Sequence, residues 1–184
     1  TGLGKIIAHI KVKTDTPICV LTNGSLLFDK EVRRSLMAAD IVIPSLDSAR
    51  GESFSGVNRP HPNLSMQQII AGIGAFAKEF DGRLFLEILL VKGVNDSAQD
   101  LAALVQAAEM IRPESIQLNT VVRPPLENSA GPLSTKDLAN AAKLFTMPTE
   151  IIAGYRQPES EDKRKIGEDA ILEMISRRPC TAQD

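Results

Sequence analysis

Short apolar runs alternate along this chain with longer stretches whose apolar positions recur at helical spacing. Leu3, Ile6, Ile7 and Ile10 fall on one helical face. Ile18-Cys19-Val20-Leu21 is a run of β-forming residues closed by Thr22-Asn23-Gly24. A helical segment follows from about Asp29, with Val32 and Leu36 on one side. Ile41-Val42-Ile43-Pro44-Ser45-Leu46-Asp47 predicts a second strand that ends or bulges at Pro44, because proline has no N–H for the ladder. Ser48 to Asn63 has no period and reads as an irregular connection. It is long beside the roughly two to six residues usual for such links.

Beyond it the pattern repeats. Ser65 and Gln68 form a capping box ahead of the apolar face Ile69, Ile70, Ile73, Phe76, Ala77 and Phe80. Leu84 to Val91 predicts a third strand, apolar on both faces apart from Glu87, and Gly93 and Asn95 turn the chain. Ser97 and Asp100 cap a helix carrying Leu101, Leu104, Val105, Ala108 and Ile111. The fourth strand, Ser115 to Val122, sets Ile116, Leu118 and Thr120 against Gln117, Asn119 and Val121, and Arg123-Pro124-Pro125 ends it. A helix from Ser134 to about Phe145 and a short run at Glu150-Ile151-Ile152 complete the series.

This alternation, with several strands almost continuously apolar, indicates an α/β fold whose parallel sheet is covered by helices. There are four or five βα units. A complete eight-stranded barrel takes about 250 residues, more than the 184 present. An open doubly wound sheet or an incomplete TIM-like barrel remains, and in both the active face lies at the carboxyl ends of the strands.

Composition narrows the class. Hydrophobic residues make up 43% and charged residues 24%, a globular balance. The net charge of −2 gives no electrostatic case for nucleic acid beyond a small basic patch. No run of eighteen apolar residues predicts a membrane span, and the opening residues lack the apolar core of a signal peptide. Cys19 and Cys180 are too far apart in sequence for a disulfide scaffold or a ligand cluster, so a reduced, cytoplasmic chain is expected. Within its apolar run Cys19 reads as a core residue, and His9 on the first helix as a surface one. Both ends read as cut: helical periodicity starts at Leu3, and Thr181 to Asp184 forms a capping box with no helix after it.

The candidate site residues sit at strand ends. Thr22, Asn23, Ser45, Asp47, Glu87, Asn119 and Arg123 all fall in or just after strands. Glu87 lies among Leu86, Ile88 and Leu89, so its carboxylate must pair with a neighbouring Arg or Lys or reach a polar cavity. Asn23-Gly24 is a common turn and Asp47 could cap the following loop; either could also face a ligand. Two prolines in Asn58-Arg59-Pro60-His61-Pro62 stiffen the loop and could present Arg59 or His61 to the site. The chain has no G-x-G-x-x-G fingerprint, phosphate loop, G-x-S-x-G elbow or H-E-x-x-H.

Together these segments resemble the radical S-adenosylmethionine enzymes. Pro17 to Leu27 is similar to the third strand and turn of that domain, Ala39 to Asp47 to the fourth strand, Leu86 to Asp96 to the fifth, and Ile116 to Pro125 to the sixth. Phe54 to Pro62 resembles a loop in one branch of iron–sulfur oxidoreductases within it. The resemblance runs from about Leu3 to Tyr155. It implies a partial barrel, of which this chain would hold about four of six βα units. Family members bind a 4Fe–4S cluster at a Cys-x3-Cys-x2-Cys loop after the first strand, and a glycine-rich turn after the second contacts the cofactor. Neither motif is present here.

By that resemblance Asn23, Ser45 and Asp47 would contact the cofactor, Glu87, Asn119 and Arg123 would line its cavity or the substrate's, and Arg59 and His61 are substrate or loop candidates. The intact enzyme would cleave S-adenosylmethionine with an electron from the reduced cluster, and the 5′-deoxyadenosyl radical would take hydrogen from an unknown substrate. This chain alone is expected to lack that activity and to bind no cofactor. Its expected partners are the missing N-terminal barrel segment, or a second copy at an exposed sheet edge. Residues 1–158 form the expected barrel domain. Residues 159–184 are an expected linker and helix, Ile166, Ala170, Ile171, Met174 and Ile175 being the apolar face, and resemble the start of a winged-helix domain. Two rival readings stay open: a non-redox α/β enzyme with Glu87 and Asp47 as acid and base, and a non-catalytic binding module.

Overall fold

A computed structural model describes residues 2–122 and 130–153. Among the described residues six helices and five strands follow one another, with two helices between the second and third strands: α1 (Gly2–Lys13), β1 (Cys19–Thr22), α2 (Lys30–Leu36), β2 (Ile41–Pro44), α3 (Gly51–Asn58), α4 (Met66–Glu79), β3 (Arg83–Leu90), α5 (Ala98–Ile111), β4 (Ser115–Thr120), α6 (Thr135–Ala142) and β5 (Thr149–Ile151). All neighbouring strands are parallel, and the order across the sheet is the order in the chain, β1-β2-β3-β4-β5. A doubly wound sheet reverses its order at a switch point; this one does not. Crossovers of one hand then place the helices on one face. The arrangement is that of a partial barrel of five strands, within the four or five units that the residue pattern indicates.

The core lies between the sheet and the helices. Val20, Val42, Leu84, Leu86, Ile88, Leu90, Ile116 and Leu118 point into it and meet Leu27, Ile73, Phe76, Leu104, Ala108, Ile111 and Leu138. Alternation sends Phe85, Glu87, Leu89, Gln117 and Asn119 to the other face, where they are half-buried. Cys19 also falls there and is exposed, which corrects its reading as a core residue. A four-residue strand at one end of the sheet hides one side of its pleat, not both.

The caps set the helix starts. Ser65 accepts from the Gln68 N–H, Ser97 from Asp100 and Ser134 from Asp137. Pro44 ends β2, and pairing resumes at once: Ser45 N–H donates to Thr22 O at 2.9 Å and Leu46 N–H to Glu87 O at 2.9 Å. Leu3, Ile6 and Ile10 of α1 stay exposed, and only Ile7 of that face is buried. The segment read as irregular is also different. Gly51–Asn58 is a two-turn helix, held by a buried network rather than by helix-forming residues. Ser53 Oγ donates to Asp100 Oδ1 at 2.8 Å and shares a 2.6 Å hydrogen bond with Ser48, while Arg50 reaches Asp100 at 3.2 Å. The tail beyond Ala153, including the linker and winged-helix expectation, lies outside the described residues, as does Arg123. No helix among the described residues is long and apolar enough to cross a membrane.

Candidate functional site

Parallel strands bring their carboxyl ends to one edge of the sheet, and there a cavity of about 270 Å³ opens. Its polar lining includes Asn23 and Ser25 after β1, Ser45 and Asp47 after β2, and Asn58, Arg59 and His61 from the end of α3 onward. Leu46, Phe54, Leu64 and Ile69 supply apolar wall. The structure thus gathers five sequence candidates, Asn23, Ser45, Asp47, Arg59 and His61, around one space.

Each is held locally. Asn23 Oδ1 accepts from the N–H and hydroxyl of Ser25, closing an Asx turn after β1. Gly24 takes φ 67 with Ile73 close behind its α-carbon, so a side chain there would be strained and crowded. Asp47 is a brace: Oδ1 accepts from Leu89 N–H at 2.9 Å and Oδ2 from Asn58 Nδ2 at 2.9 Å. Burial pushes its carboxyl up, the two hydrogen bonds pull it down, and the charge of Glu87 raises it again, for a net rise. Asn95 is fully buried; it donates to Asp47 O and Leu89 O and accepts from Val91 N–H. It ties the ends of β2 and β3 together.

Glu87 and Asn119 stand beside the cavity rather than in its lining. Glu87 Oε2 accepts from Ser45 Oγ at 3.4 Å and Oε1 from Asn119 Nδ2 at 3.2 Å. The carboxylate therefore reaches polar neighbours on the sheet face away from the helices, one of which is a cavity wall. Arg59 ends α3 in the left-handed region, φ 44 and ψ 57, immediately before Pro60. His61 is exposed, and its Nδ1 accepts from Asn63 N–H at 3.2 Å. Asn58, Phe54 and Asn95 were not singled out for roles in the sequence. Asn58 and Phe54 lay in segments already quoted, but a helix built from Gly, Ser and Asn gives no periodic signal.

The chemistry these groups offer is hydrogen bonding to a polar ligand over an apolar wall. Among the described residues no three His, Cys, Asp or Glu side chains converge as a metal site. The described residues therefore do not fit a 4Fe–4S cluster.

No family model matches the chain. It is 32% identical over 182 residues to a protein of Brachyspira hyodysenteriae named GTPase Obg, across 97% of this chain and 27% of that protein. It is also 32% identical over 165 residues to the UPF0026 protein of Helicobacter pylori, across 90% and 53% respectively. The chain thus spans about a quarter to a half of these curated relatives. It carries no Gly-x4-Gly-Lys-Ser/Thr phosphate loop. Among solved structures, a domain of pyruvate-formate lyase-activating enzyme from Bacteroides vulgatus matches with TM-score 0.64 at 19% identity, over 81% of this chain and 88% of that one. A radical SAM methyltransferase from Sphaerobacter thermophilus gives 0.59 at 20%, over 75% and 40%. SuiB of Streptococcus suis bound to S-adenosylmethionine gives 0.58 at 12%, over 80% and 35%. The fold resembles that of the radical SAM superfamily.

Proposed function

We propose that this chain is the cofactor-facing part of a radical SAM enzyme. Asn23, Ser45 and Asp47 would border S-adenosylmethionine, and Glu87 and Asn119 would form the polar surface beside it. The observation that carries the reading is the cavity at the carboxyl ends of the first two strands in a singly wound parallel sheet. The similarity of fold to a radical SAM methyltransferase and to SuiB bound to S-adenosylmethionine supports it. The cavity is close to the lower end of small-molecule sites, which begin at about 300 Å³. That size and the mixed polar and apolar wall suit the nucleoside part of the cofactor.

In this reading the residues here bind, orient and exclude water. Asn58 and the Leu89 N–H fix the Asp47 carboxyl, and Ser45 links that wall to Glu87. Arg123 is assigned to the same surface on resemblance alone. Cluster ligands would come from outside the described residues, and the cluster would supply the electron for reductive cleavage. The test is anaerobic iron–sulfur reconstitution of the full-length protein. Iron uptake and 5′-deoxyadenosine release are expected from it, and neither from the 184-residue chain. A reconstituted full-length protein that takes up no iron and releases no 5′-deoxyadenosine would overturn the proposal.

A further inference from the structure

One wall of the strand-end cavity is a strap. Phe54, Asn58, Pro60 and Leu64 line the space from α3 and the turn after it, while Asn23, Ser45 and Asp47 line it from the strand ends. The two halves of α3 are held differently. At its start Ser53 and Phe54 are buried, and Ser53 and Arg50 reach the buried Asp100 of α5. Farther along, Ser55, Gly56 and Asn58 are exposed. The chain then turns on itself, Leu64 N–H donating to His61 O at 2.9 Å, before Ser65 caps α4. From the exposed end of α3 the Asn58 amide reaches back to Asp47 Oδ2 at 2.9 Å. Asp47 is fixed from the other side. Its Oδ1 accepts from Leu89 N–H at 2.9 Å, and Asn95 donates to its carbonyl at 2.7 Å. Asn58 therefore joins a helix of low intrinsic propensity to a fixed point on the sheet. One such hydrogen bond is strong enough to bias a local opening and weak enough to break in one.

We propose that Asn58 is the latch of this strap and sets how long a ligand stays in the cavity. With the amide on Asp47, α3 and the turn after it close the cavity. When that bond breaks, residues 56–64 swing about the anchored residues 50–54 and the ligand leaves. Asn58 is thus a positioning residue, acting on the ligand through the wall it holds. The pair is also reversible on paper. In D47N/N58D the amide oxygen at position 47 accepts from Leu89 N–H as before, and the amide nitrogen donates to the carboxylate at position 58. That S-adenosylmethionine is the ligand rests on the reading above; the latch itself does not.

The test is hydrogen exchange read by mass spectrometry on the full-length protein, in wild type, N58A, N58D and D47N/N58D, each shown to be folded by circular dichroism. N58A is expected to raise exchange across residues 56–64 about tenfold and to leave α4 unchanged. N58D sets two carboxylates face to face and is expected to raise it further, and D47N/N58D to bring it back toward wild type. Release of S-adenosylmethionine from the iron–sulfur-reconstituted protein is expected to quicken about tenfold in N58A. A purely structural Asn58 would not be rescued by the exchange of partners. Wild-type exchange in N58A, a folded D47N/N58D as fast as N58D, or release from N58A at the wild-type rate overturns the latch. Wild type that binds no S-adenosylmethionine, with exchange that follows the partner swap, removes the cofactor reading and keeps the latch. Binding of S-adenosylmethionine with exchange indifferent to Asn58 removes only the latch.

Discussion

Asp47 joins β3 and the end of α3 to the cavity wall, and its environment sets a pH signature. Burial holds its carboxyl above the ordinary carboxylate range in the folded state. Between the ordinary value and the raised one, the folded chain keeps a proton that the unfolded chain has released. The stability this contributes is present below the ordinary value and is lost as pH rises through the native value. Asp100 runs the other way. Burial pushes it up, but hydrogen bonds from Ser97 and Ser53 and the Arg50 charge bring it below the ordinary range, so its contribution is lost only at lower pH. Denaturant titrations at pH 7 and 5 are therefore expected to show wild type gaining stability relative to D47N at the lower pH. A gap that moves the other way would refute this account of Asp47. Arg112, which ends α5 in the left-handed region at φ 56 and ψ 57, gives a second residue-scale prediction. R112G relieves left-handed strain and is expected to raise stability by about 1 kcal/mol, read as a higher melting temperature. A lower melting temperature would contradict it.

Among the elements, α3 is least legible from sequence and central to the site. Its Gly51-Glu52-Ser53-Phe54-Ser55-Gly56 run has little helix propensity, and no side-chain cap bonds at its start. What holds it is tertiary: Ser53 and Arg50 reach across to Asp100 on α5. No periodicity in one segment reports a partner about fifty positions away. The other helices announced themselves because their caps and apolar faces are local, as at Ser65 and Ser97. D100N is expected to loosen α3, with faster hydrogen exchange across residues 51–58 than in α4. Equal protection in wild type and variant would remove the network from the account. A close approach fixes α4 in turn. A β-carbon on Gly72 would lie 2.4 Å from Phe28 N and 2.7 Å from Leu27 C, backbone atoms with little room to move. G72A is expected to cost about 1–3 kcal/mol in denaturant unfolding; a neutral change would show that the loop after β1 yields easily.

At the scale of the molecule, the parallel sheet was readable in the residue pattern, and its strand order and the depth of burial were not. Alternating strands and helices indicate a parallel sheet, and the strand-end polar residues mark the edge that carries the cavity. Asn23, Ser45 and Asp47 were found that way because position after a strand is a sequence property. The assignment of Cys19 to the core failed because burial of both faces depends on what lies beyond β1. Among the described residues β1 pairs only with β2, and Leu21 is 70% exposed. An open edge carrying an apolar side chain invites pairing. Sedimentation is expected to show self-association that rises with concentration and falls in L21K; a strictly monomeric chain at all concentrations would contradict it.

The central claim is that the strand-end cavity holds S-adenosylmethionine. Calorimetric titration of the cofactor into the iron–sulfur-reconstituted full-length protein and its N23A/S45A variant tests it most directly. The account predicts saturable binding by wild type and about tenfold weaker binding by the folded variant. No binding by folded wild type, or the same affinity in both, would contradict it.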